Sequence, residues 1–182
     1  MRIIPTVLLS AFVALSPLGA QGVHIRMLPW TESILLDTLR QDQEVEIAPA
    51  KVYLAAQRAF GELGIPLGNT DNKAGVLGSE RFLRTHNLNG TLLSRLYDCG
   101  DGATGALADS YRLEIAVAAF VNPSAKGDPK NPTTTLGIAT IATGRDPGGT
   151  SRAARGCVST GRLEDMLAKR IASLARQSAS AP

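Results

Sequence analysis

The 182-residue chain is poor in the residues that carry most enzyme chemistry. It has two histidines, His24 and His86, and neither has a second histidine at metal-ligand spacing. A His-Glu-x-x-His zinc pair is excluded. No Gly-x-Ser-x-Gly elbow and no Ser-x-x-Lys occurs, so the local signatures of two large hydrolase classes are missing. Aromatics make up only 4% of the chain, and Trp30 is the sole tryptophan. Basic residues are spread out; the densest stretch, Arg145, Arg152, Arg155 and Arg162, lies in a Gly-rich segment without aromatics. A nucleic-acid partner is not expected from that pattern. The one long apolar run sits at the N-terminus, which excludes a multi-span membrane protein. No catalytic residue, cofactor or metal ligand is identified.

Cysteine is equally scarce, and here scarcity is informative. Cys99 and Cys157 are the only two. An even count in an exported chain suggests one disulfide. Closing a loop of that length stabilises by ~4 kcal/mol in the chain-entropy model. A redox-active pair is disfavoured, because the Cys-x-x-Cys spacing that depresses a thiol pKa is absent.

Export itself is read from residues 1–20. Met1-Arg2 is a short positive region, Ile3 to Leu15 is apolar, and Ser16 to Ala20 is small-residue rich. That is the layout of a signal peptide, with cleavage near Ala20. The apolar stretch is too short to span a bilayer of ~30 Å as a helix. The mature chain is then expected in the periplasm or outside the cell, with no transmembrane span. Its formal net charge falls from +3 to near +2 as Arg2 leaves.

Three further sections are expected: an N-terminal arm at 21–43, a single domain at 44–177 and a frayed tail at 178–182. Within the arm, Val23 to Leu28 suggests a short strand and Ser33 to Arg40 a helical turn or two. Glu44 to Ile47 alternates as a strand. Residues 50–63 carry Val52, Ala56, Ala59, Phe60 and Leu63 on one helical stripe, and Gly64 supplies a left-handed cap. Ile65 to Asn69 and Val76 to Phe82 form a hairpin about Asp71 to Gly75. The clearest strand is Tyr111 to Val121. Tyr111, Leu113, Ile115, Val117, Ala119 and Val121 share one face; Arg112, Glu114, Ala116, Ala118 and Phe120 share the other. Thr133 to Thr143 is its partner, and Gly144 to Gly156 reads as a polar loop. Leu163, Met166, Leu167, Ile171 and Leu174 mark a last helix over 163–176. Strands next to strands imply an antiparallel sheet. The expected fold is an α+β two-layer sandwich with both amphipathic helices on one face.

Other polar groups have ordinary readings. Asp98, Asp101 and Asp109 lack the spacing of a calcium loop. Glu114 has Arg112 as an expected ion-pair partner on its own face. Glu164 and Asp165 suit the positive end of the last helix.

The stretch Ala50-Lys51-Val52-Tyr53-Leu54-Ala55-Ala56, then Leu63-Gly64-Ile65-Pro66-Leu67, then Asp71 and Gly75-Val76-Leu77-Gly78-Ser79, makes a helix–Gly–strand–turn–strand unit. It resembles helix-grip domains of small bacterial envelope proteins such as the BamC (NlpB) lipoproteins. The resemblance covers about thirty residues of generic motif. The chain departs from that family in lacking a lipidation cysteine and in having one domain and an expected disulfide. What the resemblance implies is an envelope binding or assembly module; it transfers no site residues. The expectation is therefore an exported, non-catalytic binding or assembly module of the bacterial cell envelope, whose partner, a protein or another envelope component, the residues do not identify. A small apolar-ligand carrier, with a pocket between the last helix and the sheet, and a hydrolase with a dispersed site are the alternatives.

Overall fold

In the computed structural model, the described residues are 24–25, 34–35, 40–128, 130–149 and 154–180. The expected signal segment, Trp30 and Arg152 lie outside them. Within the arm, β1 (His24–Ile25) pairs antiparallel with β2 (Ile34–Leu35), so Ile34 and Leu35 are extended rather than helical.

The main sheet begins earlier than expected. Strand β3 runs Arg40–Val45, which takes residues 40–43 out of the arm and leaves Ile47 in the following turn. Its sequence, Arg-Gln-Asp-Gln, shows no apolar alternation. Its place is fixed by a six-residue antiparallel ladder that begins at Arg40↔Ala139 and ends at Val45↔Thr134.

Helix α1 (Pro49–Glu62) starts at a proline, whose missing N–H is needless in a first turn. It buries Val52, Ala55, Ala56, Ala59 and Phe60. Gly64, at φ +68°, ends it in a Schellman motif: Ile65 N donates to Phe60 O at 2.9 Å and Gly64 N to Gly61 O at 3.1 Å. Next come β4 (Leu67–Asp71) and β5 (Val76–Ser79). Between them Asp71 Oδ1 accepts from Lys73 N and Ala74 N. The expected Val76–Phe82 strand is broken at Glu80–Arg81, and the chain resumes as β6 (Phe82–Thr85).

A rim of short pieces follows. It comprises β7 (Asn87–Leu88), β8 (Thr91–Leu92), β9 (Tyr97–Asp98), β10 (Asp101–Gly102), β11 (Gly105–Ala106) and the one-turn α2 (Leu107–Ser110). The β7–β8 hairpin turns on Asn89 and Gly90, both at positive φ, as a two-residue turn of the primed type requires.

Strands β12 (Arg112–Pro123) and β13 (Thr134–Arg145) form the spine of the sheet, twelve residues each in unbroken register. β14 (Arg155–Ser159) was not expected, because Arg-Gly-Cys-Val-Ser carries no strand pattern; it pairs Cys157 with Ala142. The order across the sheet is β4-β5-β12-β13-β14-β9, with β6 also on β12 and β3 also on β13.

Helix α3 spans Arg162–Ser180. It runs past the expected end at Arg176 and takes up most of the supposed tail, where Ser178 Oγ donates back to Leu174 O at 2.9 Å. Leu163, Leu167, Ile171 and Leu174 are buried with the inward set of β12, the inward Leu136 and Ile138 of β13, and the stripe of α1 in one cluster. The fold is a two-layer α+β sandwich with both helices on one face of an antiparallel sheet.

Candidate functional site

Cys99 and Cys157 are joined as a disulfide. The staple lies between strands: Cys99 follows β9, and Cys157 sits within β14, which pairs Val158 with Asp98. Arg155 Nη1 donates to Cys99 O at 3.3 Å beside it.

Next to this staple is a polar cluster buried in an otherwise apolar interior. Glu164, in the first turn of α3, is 2% exposed. Its Oε1 accepts from Thr140 Oγ1 of β13 and from Ser159 Oγ of β14, each at 2.6 Å. Among the described residues, Glu164 Oε2 and the Tyr97 hydroxyl are buried without a partner of hydrogen-bonding geometry. Burial pushes the Tyr97 phenol well above its ordinary range; the Thr140 hydroxyl opposes the shift and the Glu164 carboxylate reinforces it. Favourable placement at the helix dipole does not account for Glu164 in full: its carboxylate also ties α3 to two strands. The visible hint was Thr140, a polar residue at an inward position between Ile138 and Ala142. The carboxylate is buried and shared by two hydroxyls, so the geometry suits a structural lock better than substrate contact.

The other polar groups are scattered. His86 is exposed, at φ +66°, and makes no side-chain contact with a serine or a carboxylate among the described residues. Asp109 Oδ1 accepts from Ser94 N and Asp98 Oδ1 from Gly100 N, each at 2.8 Å. Among the described residues no three His, Cys, Asp or Glu side chains converge as a metal site. Glu114 pairs with Arg81 at 3.3 Å rather than with Arg112, because β6 and the Glu80–Arg81 bend lie alongside β12 on that face.

Among the surface grooves of the described residues, one has an open strand beside it. It has a volume of about 470 Å³ and is lined by Gln43 to Ile47 and by Lys169, Ala172 and Arg176, which form one stripe of α3. Among the described residues, β3 pairs only with β13, so its other edge borders this groove. Gln43 Nε2 donates to Ala168 O at 3.2 Å and fixes the strand against the helix. Lys169 is held by Asp165 at 2.6 Å. Further along, Arg170 Nε meets Glu62 Oε2 at 2.5 Å and clamps α3 to α1, and the Glu62 carboxyl lies below its ordinary range for that reason. The opposite edge of the sheet differs. β4 slips register between Leu67 and Thr70. An irregular edge of that kind discourages strand pairing, whereas a regular edge permits it.

No protein-family model matches the chain, and no curated protein is similar to it. Among the described residues no helix is long and apolar enough to cross a membrane.

Proposed function

We propose that the chain is an exported, non-catalytic binding or assembly module of the bacterial cell envelope, and that its partner is an envelope protein with an extended segment that adds to the free edge of β3. The observation that carries this reading is the contrast between a filled interior and an open edge. Residues beneath both helices are packed against the sheet, and the groove between β3 and α3 is lined mostly by polar and charged side chains, which suits a peptide backbone better than an apolar ligand. The regular edge of β3 beside the α3 groove supplies backbone donors and acceptors for strand addition. Arg40, Asp42 and Glu44 on that strand discourage indiscriminate pairing while leaving the backbone free. The helix–Gly–strand resemblance to envelope domains, the export signal and the disulfide point the same way.

Two measurements test it. Intact mass of the exported protein should begin at Gln21, with both thiols blocked until reduction. Hydrogen exchange of that protein, with and without solubilised envelope fraction, should slow at residues 41–47 and leave residues 67–71 of the β4 edge unchanged. A retained Met1 with free thiols removes the export half of the proposal. Protection confined to other segments removes the β3 half.

A further inference from the structure

The groove beside β3 has two walls of opposite charge, and the pleat of the strand keeps them apart. The register against β13 sorts the side chains of β3 into two rows. Gln41, Gln43 and Val45 stand opposite Ile138, Leu136 and Thr134, which are buried, and Gln43 reaches Ala168 O of α3. Arg40, Asp42 and Glu44 therefore form the row turned away from the helices. Within that row Arg40 and Asp42 neutralise each other. Glu44 accepts from the Thr135 hydroxyl at 3.1 Å. Among the described residues no cation lies within ion-pair distance of Glu44 or of Glu46, the exposed acid just past the strand. Beyond Glu46 the sign changes, since a second groove of about 530 Å³ carries Lys126 and Lys130 beside it. The outer wall along β3 is thus negative around Glu44.

The other wall is α3. Lys169, Ala172 and Arg176 recur there at steps of three and four residues, so a buried alanine has a cation one turn to either side. Asp165 holds Lys169, but the lysine side chain remains 74% exposed and its ammonium has donors to spare. A strand added to β3 would alternate as β3 does. One residue would stand beside Glu44, and the next would point at the α3 stripe.

We propose, building on strand addition at β3, that the segment it accepts alternates in charge: lysine or arginine on the face turned away from the helices, beside Glu44, and aspartate or glutamate on the face turned to α3, beside Lys169 and Arg176. An apolar segment finds little to cover, because Val45 is already buried and Ala172 is small. A segment of cations alone would meet Lys169 and Arg176, and a segment of anions alone would meet Glu44. Alternation with a period of two satisfies both walls, whichever way the added strand runs.

Two capped peptides of equal composition and net charge test this: Lys-Glu-Lys-Glu-Lys-Glu-Lys and Lys-Lys-Lys-Lys-Glu-Glu-Glu. Each is titrated at low salt into the nitrogen-15-labelled, disulfide-bonded exported protein, and the backbone amides of residues 41–45 are followed. The alternating peptide should bind about ten-fold more tightly, since it gains two or three cross-strand charge pairs where the other meets like charges. Glu44→Lys, at an exposed position, should weaken the alternating peptide several-fold. Asp101→Lys, the same charge change out on the rim, should leave it unaltered. Equal affinity for the two peptides overturns the charge pattern while leaving strand addition standing. So does silence of residues 41–45 towards both peptides when solubilised envelope fraction still protects residues 41–47 from exchange. Silence towards the peptides and the fraction alike removes strand addition itself, and the charge pattern with it.

Discussion

Removing the Cys99–Cys157 staple is the perturbation whose size follows most directly from the structure. The two residues are 58 apart in sequence, and the loop they close contains the whole of β12 and β13. For that loop length the chain-entropy model gives ~4 kcal/mol of stabilisation, acting through the unfolded state. The folded state keeps its ladders without the bond, since β14 is held independently by β13 on one side and β9 on the other. A domain of about 140 residues has an unfolding entropy near ~0.3 kcal/mol/K, so the melting temperature should fall by ~14 °C. The assay is thermal melting followed by circular dichroism on three samples: the oxidised protein, the same protein reduced, and the Cys99→Ala/Cys157→Ala variant. Reduction and substitution should give the same shift, because loop entropy is indifferent to how the bond was removed. A fall of less than ~4 °C in both samples would refute the entropic account. A large fall in the variant alone would show that the side chains, and not the bond, were responsible.

Three further outcomes follow from the interior and the turns. Glu164→Ala should cost about 3 kcal/mol in urea unfolding, because Thr140 and Ser159 lose a shared buried acceptor, and Glu164→Gln should cost clearly less. Gly75→Ala should destabilise by about 3 kcal/mol or more, since a Cβ there would lie 2.0 Å from Val121 O at φ +65°; Gly90→Ala, at φ +76° with open space around it, should cost only about 1 kcal/mol, and equal losses would contradict the steric argument. Tyr97 is held neutral by burial, so its folded pKa lies above the unfolded one and the stability tied to it is intact at neutral pH. That stability should drain away above pH ~10 by as much as ~1.4 kcal/mol per unit, and Tyr97→Phe should flatten this alkaline slope in pH-dependent urea titrations.

What could be read from residues alone divides along a physical line. The alternation from Tyr111 to Val121 separated the two faces of β12 correctly, because burial on one side of a pleat imposes a period of two. Stripes on α1 and α3 were visible for the same reason at a helical period. Strands β3 and β14 were not, or not in full. Both are held by backbone pairing to β13, and Arg40 to Gln43 or Arg155 to Ser159 carry no contrast for a pattern to catch. Partners distant in sequence were also hidden: the choice of Arg81 over Arg112 for Glu114 depends on where β6 turns. As for site residues, the cysteine pair was legible from arithmetic, whereas the Glu164 cluster draws its members from four separate places in the chain. Only Thr140 left a trace, as a hydroxyl where the pattern asked for an apolar group.

The long reach of the ladders governs when this domain can form at all. Strand β3 has nothing to pair with until β13 exists, almost a hundred residues later, and α1 meets its companion α3 only at the far end of the chain. A chain emerging from its first residue onward therefore holds half-built surfaces for most of its passage: β3 unladdered and the stripe of α1 without α3. A chain halted before Arg162 would lack Leu163, Leu167, Ile171 and Leu174 together with the Glu164 lock. Folding has to wait for completion, and high contact order makes it slow even then. Tardiness of this kind keeps a polypeptide loose enough to be threaded through a pore, and it assigns the closing step to the final helix.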